Sequence, residues 1–118
     1  VYKRQLPDSS IFYRRCPEKG GIYPHHMVVS RDMINQLARA GTSVGANIHE
    51  AQYAQSKKDF IAKLEIALKE SNETSYWLKL MYETKRIDLA SYKYAEKLCG
   101  NIRRLLIASC KTAKENPQ

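Results

Sequence analysis

With 118 residues the chain is long enough for one domain with one modest core, and its 43% hydrophobic content is ordinary for a globular protein. Its net charge of +8 and pI near 9.5 favour a polyanionic partner. No run approaches the roughly 18 consecutive apolar residues of a membrane span and no signal peptide is visible, so a cytoplasmic protein with no membrane partner is expected.

The first 26 residues differ from the rest. They hold Pro7, Pro17, Pro24, Gly20 and Gly21 and sustain no helical or strand period. The chain opens on Val1, not methionine, which reads as a fragmentary or foreign start. A natural flexible arm with a short helix at residues 10–15 is the alternative. The expected division is an irregular segment over 1–29 and a helical domain over 30–116.

Ser30 is a candidate N-cap for a first helix running to Ala51. Ile34, Leu37, Gly41, Val44, Ile48 and Ala51 recur at spacings of three and four, a seam for packing on neighbours. Gly41 and Gly45 each cost about 1 kcal/mol of helix propensity, so either close packing compensates or the helix breaks there. Ser56-Lys57-Lys58-Asp59 has the form of a capping box and opens a second helix to Thr84. Phe60, Ile61, Leu64, Leu68, Leu78 and Tyr82 share one face of it, with Ser71 and Ser75 among them. Ala62, Ile66, Trp77 and Leu80 gather on the opposite side, which the intrachain core does not need, so they are expected to meet another subunit. Asp88 caps a third helix to Lys114, with Ala95, Leu98, Ile102, Leu105, Leu106, Ser109 and Ala113 as its inner face. Short loops between long helices predict antiparallel neighbours and an all-α bundle.

No catalytic constellation stands out. His25, His26 and His49 belong to no HExxH or Glu-x-x-His pair, and no CxxC occurs, so no cofactor or metal is expected. Cys16, Cys99 and Cys110 are an odd count without metal-ligand spacing, and free, core-lining thiols in a reducing compartment are the expectation. Ser43, Asn47 and Glu50 line one side of the first helix. With Glu73 they are read as structural polar groups that fix helix register, against the simpler reading that Glu70 and Glu73 are solvated. The function-like signal is basic. Lys93, Lys97, Arg104 and Lys111 share a side of the last helix, Lys57 and Lys58 crowd the start of the second, and such a stripe can track a phosphate backbone.

Two segments, RAGTSVGANIHEAQ and DFIAKLEIALKESNETSYWL, closely resemble the bacterial four-helix-bundle proteins named after the intervening sequences of 23S rRNA genes. The resemblance covers residues 30–114 and rests on Ser43, Ala46, Asn47, Ile48 and Glu50, then on the run from Asp59 to Thr74. It implies an antiparallel four-helix bundle, a ring-like homopentamer with basic surfaces and no enzymatic activity. A related branch accompanies the reverse transcriptases of diversity-generating retroelements, which implies RNA or DNA and a reverse transcriptase as partners. Residues 1–29 depart from the pattern where the family's first helix would stand. The expected function is a nucleic-acid-binding accessory protein. The alternative is a structural or protein-interaction module whose charge serves solubility alone.

Overall fold

In the computed structural model residues 22–116 are described, with side chains from residue 31 onward. Three helices follow one another: α1 (Ile22–Ala51), α2 (Lys57–Glu83) and α3 (Leu89–Glu115). Among the described residues there is no strand, and the helices form an antiparallel bundle with extents of 62 × 25 × 23 Å. Helix α2 is the middle of the bundle: α1 and α3 each pack along it and meet one another only marginally.

The ends of α2 and α3 are built as their local chemistry dictates. The Ser56 hydroxyl accepts from the Asp59 N–H at 3.0 Å, and Asp59 Oδ2 reaches back to the Gln55 N–H at 3.3 Å rather than to the cap residue itself. Helix α2 stops in a Schellman turn. The Arg86 N–H bonds the Met81 carbonyl at 2.8 Å and the Lys85 N–H bonds the Tyr82 carbonyl at 3.0 Å. Lys85 takes the left-handed position, at φ 62°, that glycine usually fills. Asp88 then caps α3 by accepting from the Ser91 N–H at 2.7 Å.

Helix α1 begins at Ile22, eight residues before the expected cap, so Ser30 lies inside the helix and residues 22–29 are not irregular. Pro24 falls in the first turn, where its missing N–H has no intrahelical acceptor to lose. The expected irregular arm, the short helix at 10–15 and Cys16 lie outside the described residues.

The core has two parts. At one end Val44, Ala51, Leu64, Ala67, Leu106 and Cys110 join all three helices, with Phe60 and Leu68 against them. At the other, Met33 and Ala40 of α1 meet Trp77, Leu80 and Met81 of α2, with Ile87 closing the cluster. Trp77 is 5% exposed and Leu80 2%. Both are therefore buried within their own chain, and their assignment to a subunit interface is corrected. The reason is positional: a central helix needs two apolar stripes for its two intrachain neighbours. Ala62 and Ile66 remain exposed.

The inner faces expected for α1 and α3 hold in part, with Val44, Ala51 and Leu106 in the core, and are otherwise rotated. On α3 the side chains against α2 are Cys99, Leu106 and Cys110, whereas Leu98, Ile102, Leu105 and Ser109 stay exposed. On α1, Met33 and Ala40 are fully buried while Ile34 and Gly41 are open. Of these open positions Gly41, Leu98 and Ile102 border an apolar groove of about 430 Å³ between α1 and α3, with Gly45 and Ile48 also on the α1 wall. Neither glycine breaks the helix. A Cβ at either would meet nothing within 4 Å, so close packing among the described residues does not compensate for them.

Candidate nucleic-acid interface

Four of the expected cations form one row. Lys93, Lys97, Arg104 and Lys111 all lie exposed on α3, on the side turned away from α2. At 100° per residue they fall within an arc of about 40°, and at 1.5 Å per residue the row runs about 27 Å. Among the described residues no carboxylate pairs with Lys93, Lys97 or Lys111. Arg104 Nη2 donates to Asn101 Oδ1 one turn back, which holds the guanidinium along the helix surface. Gly100 lies beneath it: a Cβ there would stand 3.6 Å from Arg104 Nη1 and 3.7 Å from Arg103 Nη2. Both are ordinary contact distances, so the two guanidinium groups simply lie over this glycine.

Glu96 is directed away from this row. Its carboxylate turns towards α2, where Oε1 accepts from Ser75 Oγ at 2.9 Å and lies 3.8 Å from Arg103 Nη2. Arg103 in turn donates to Ser75 Oγ at 2.9 Å, so it belongs to the α2–α3 seam. Other cations are committed elsewhere. Lys57 donates to the Asn116 carbonyl and ties the start of α2 to the end of α3, while Lys58 stays exposed. Lys63 pairs with Glu50 at 3.1 Å, and Lys114 pairs with Glu65 at 2.7 Å. The Glu65 hydrogen bond holds the Lys114 ammonium above its ordinary pKa, and burial pushes the Cys110 thiol up.

The polar residues expected to set register divide into three fates. Asn47 bonds within its own helix, to the Ser43 carbonyl at 2.8 Å, and both residues are half-buried. Glu50 is a surface partner of Lys63. Glu73 is buried, and its Oε2 accepts from Trp77 Nε1 at 3.1 Å and from Arg39 Nη2, with Arg39 also held by Gln36 at 3.0 Å. The solvated reading of Glu73 is thereby excluded. Glu70 is half-buried, and its Oε2 has no donor among the described residues. The Glu73–Trp77 spacing of four residues is a signal a sequence reading can use, since i and i+4 face one another on a helix. Arg39, 34 residues upstream, carries no such mark.

Among the described residues no group of three His, Cys, Asp or Glu side chains could hold a metal ion, and no helix is long and apolar enough to cross a membrane. Cys99 is buried, its thiol directed at the Ser71 carbonyl at 3.2 Å. Cys110 is buried likewise.

No curated protein matches the chain. A crystal structure of a protein of unknown function from the S23 ribosomal protein family of Bacteroides thetaiotaomicron VPI-5482 is similar at 41% sequence identity, over 87% of this chain and 94% of that one, with a TM-score of 0.66. The family model for the 23S rRNA-intervening sequence protein matches residues 27–108. That span takes in most of α1, all of α2 and the part of α3 that carries Lys93, Lys97 and Arg104. The chain belongs to the 23S rRNA-intervening sequence protein family.

Proposed function

We propose that this chain is a non-enzymatic accessory protein that binds RNA or DNA through the row of cations on α3. The observation that carries the reading is the exposure of Lys93, Lys97, Arg104 and Lys111 along one helix side, clear of the carboxylates that engage Lys63, Arg103 and Lys114. Four cations neutralise few phosphates, so one copy alone binds weakly. Self-assembly into a ring, a homopentamer by resemblance, multiplies the rows and raises avidity through effective concentration. With Trp77 and Leu80 committed to the chain's own core, Ala62 and Ile66 are what remains of the apolar side once read as the contact. The retroelement branch makes a reverse transcriptase the protein partner of this reading.

Binding is expected to tolerate sequence and to weaken steeply with salt. Replacing Arg104 and Lys111 together by glutamate is expected to abolish it, read by anisotropy of a labelled oligonucleotide, with helicity unchanged in circular dichroism. Wild-type protein that binds neither RNA nor DNA at low salt defeats the proposal. The reading then left is an interaction module whose charge serves solubility. Sedimentation of the same samples gives the assembly state, and a mass of one chain removes the avidity argument.

A further inference from the structure

The cation row has an apolar neighbour. Tyr94, Leu98 and Leu105 run along α3 beside it, with exposures of 69%, 47% and 68%. On the helical wheel they lie within an arc of about 40°, roughly 100° around the axis from the cations. Tyr94 follows Lys93 directly and precedes Lys97 by three residues, so along the axis an exposed aromatic side chain sits at the level of two exposed lysines, to one side of both. The other aromatic side chain near this end of α3 is not available in the same way. Tyr92 is half-buried and stacks on Tyr82 of α2, ring centroids 4.9 Å apart and planes 12° from parallel.

We infer that α3 takes single-stranded nucleic acid in preference to duplex, with the backbone on Lys93, Lys97, Arg104 and Lys111 and a base stacked on Tyr94. This rests on the proposed function and narrows its ligand. The two strips make different demands. Phosphates satisfy the cations whether the strand is paired or free. A duplex keeps its base faces stacked inside, so it would leave Tyr94, Leu98 and Leu105 in water. A single strand offers its phosphates and its π-faces together, and stacking on an aromatic side chain tolerates any base. A ligand that covers both strips removes apolar surface from water as well as pairing charge.

The test measures anisotropy of a labelled oligo-uridylate and of a labelled duplex of equal length, at one low salt concentration, with wild type, Tyr94→Ala, Tyr94→Phe and the Arg104→Glu/Lys111→Glu pair. The expected result is tighter binding of the single strand, a loss of roughly ten-fold for Tyr94→Ala on the single strand only, and retention by Tyr94→Phe. Tyr94 is largely exposed, so its loss is not expected to disturb the fold, and circular dichroism checks this. Equal or tighter duplex binding, or a Tyr94→Ala protein indistinguishable from wild type on the single strand, overturns this inference and leaves nucleic-acid binding standing. Absence of binding to both ligands removes the proposed function itself. A third outcome is decided by Leu98→Ser/Leu105→Ser. If that variant dissociates the oligomer in sedimentation while single-strand affinity is kept, the apolar strip belongs to a subunit contact and the inference falls.

Discussion

The two flanks of α2 are built in different ways. Against α1 it presents large side chains, and Trp77, Leu80 and Met81 close over Met33 and Ala40 with the Arg39–Glu73 pair at the edge. Against α3 it presents Ser71 and Ser75, small and polar, which receive Cys99, Glu96 and Arg103 through hydrogen bonds. The first seam is held mainly by apolar area. The second combines Leu64 and Ala67 against Leu106 and Cys110 at one end with a narrow polar stretch at Ser71 and Ser75, whose hydrogen bonds are each worth only about 1 kcal/mol net. Among the described residues it also leaves half of α3's apolar arc uncovered, because α1 does not come round to meet it. The arc that a sequence assigns to a helix counts every neighbour the helix is suited to. How much of it is buried depends on which neighbours are in place.

That contrast can be broken at Trp77. Trp77→Ala should cost about 3–5 kcal/mol, since it empties the centre of the α1–α2 seam and strips Glu73 of an N–H donor. Leu105→Ala, on the open side of α3, should stay within about 0.5 kcal/mol. Urea denaturation of both variants checks the pair. Similar losses would mean that the open face of α3 is covered in solution.

What was legible in the residues follows the same division. Caps and connections are local, and Ser56 and Asp88 were readable because each carries its acceptor within three residues of the N–H it serves. The start of α1 was obscured by Pro24, which reads as a breaker until its place in the first turn is known. The two stripes of α2 were visible, but placing both within the chain required knowing that α2 is the central helix. Partners distant in sequence leave no local trace, which is why Arg39 beside Glu73 went unread. The cation row was readable because helical spacing alone defines it, whereas Tyr94 beside it gained meaning only from its exposure.

The glycines of α1 sharpen the comparison by a smaller amount. Gly41→Ala and Gly45→Ala should each stabilise the chain by about 1 kcal/mol, because helix propensity rises and the new methyl meets nothing within 4 Å. Thermal melts at low protein concentration measure it. A loss in place of a gain would show that another element packs across the groove wall and that the two flanks of the bundle are more alike than the three helices suggest.

The smallest effect concerns how α3, the less covered helix, is held at its start. The Ser91 N–H donates to the Asp88 carboxylate and lowers its pKa below the ordinary value. A carboxyl lowered on folding binds a proton less readily in the folded chain than in the unfolded one. Its contribution is therefore complete above the ordinary carboxylate range and disappears as the pH falls through the folded value. Asp88→Asn keeps an oxygen acceptor for the Ser91 N–H without the charge, which also lies favourably at a helix N-terminus. Its melting temperature should sit slightly below that of wild type at neutral pH, and the two curves should converge in acid. Asp88→Ala loses acceptor and charge together and should lie below both at neutral pH. The group is exposed, so salt should shrink the gap between wild type and Asp88→Asn while leaving that between Asp88→Asn and Asp88→Ala. Curves for wild type and Asp88→Asn that coincide at every pH would assign the cap to its hydrogen bond alone.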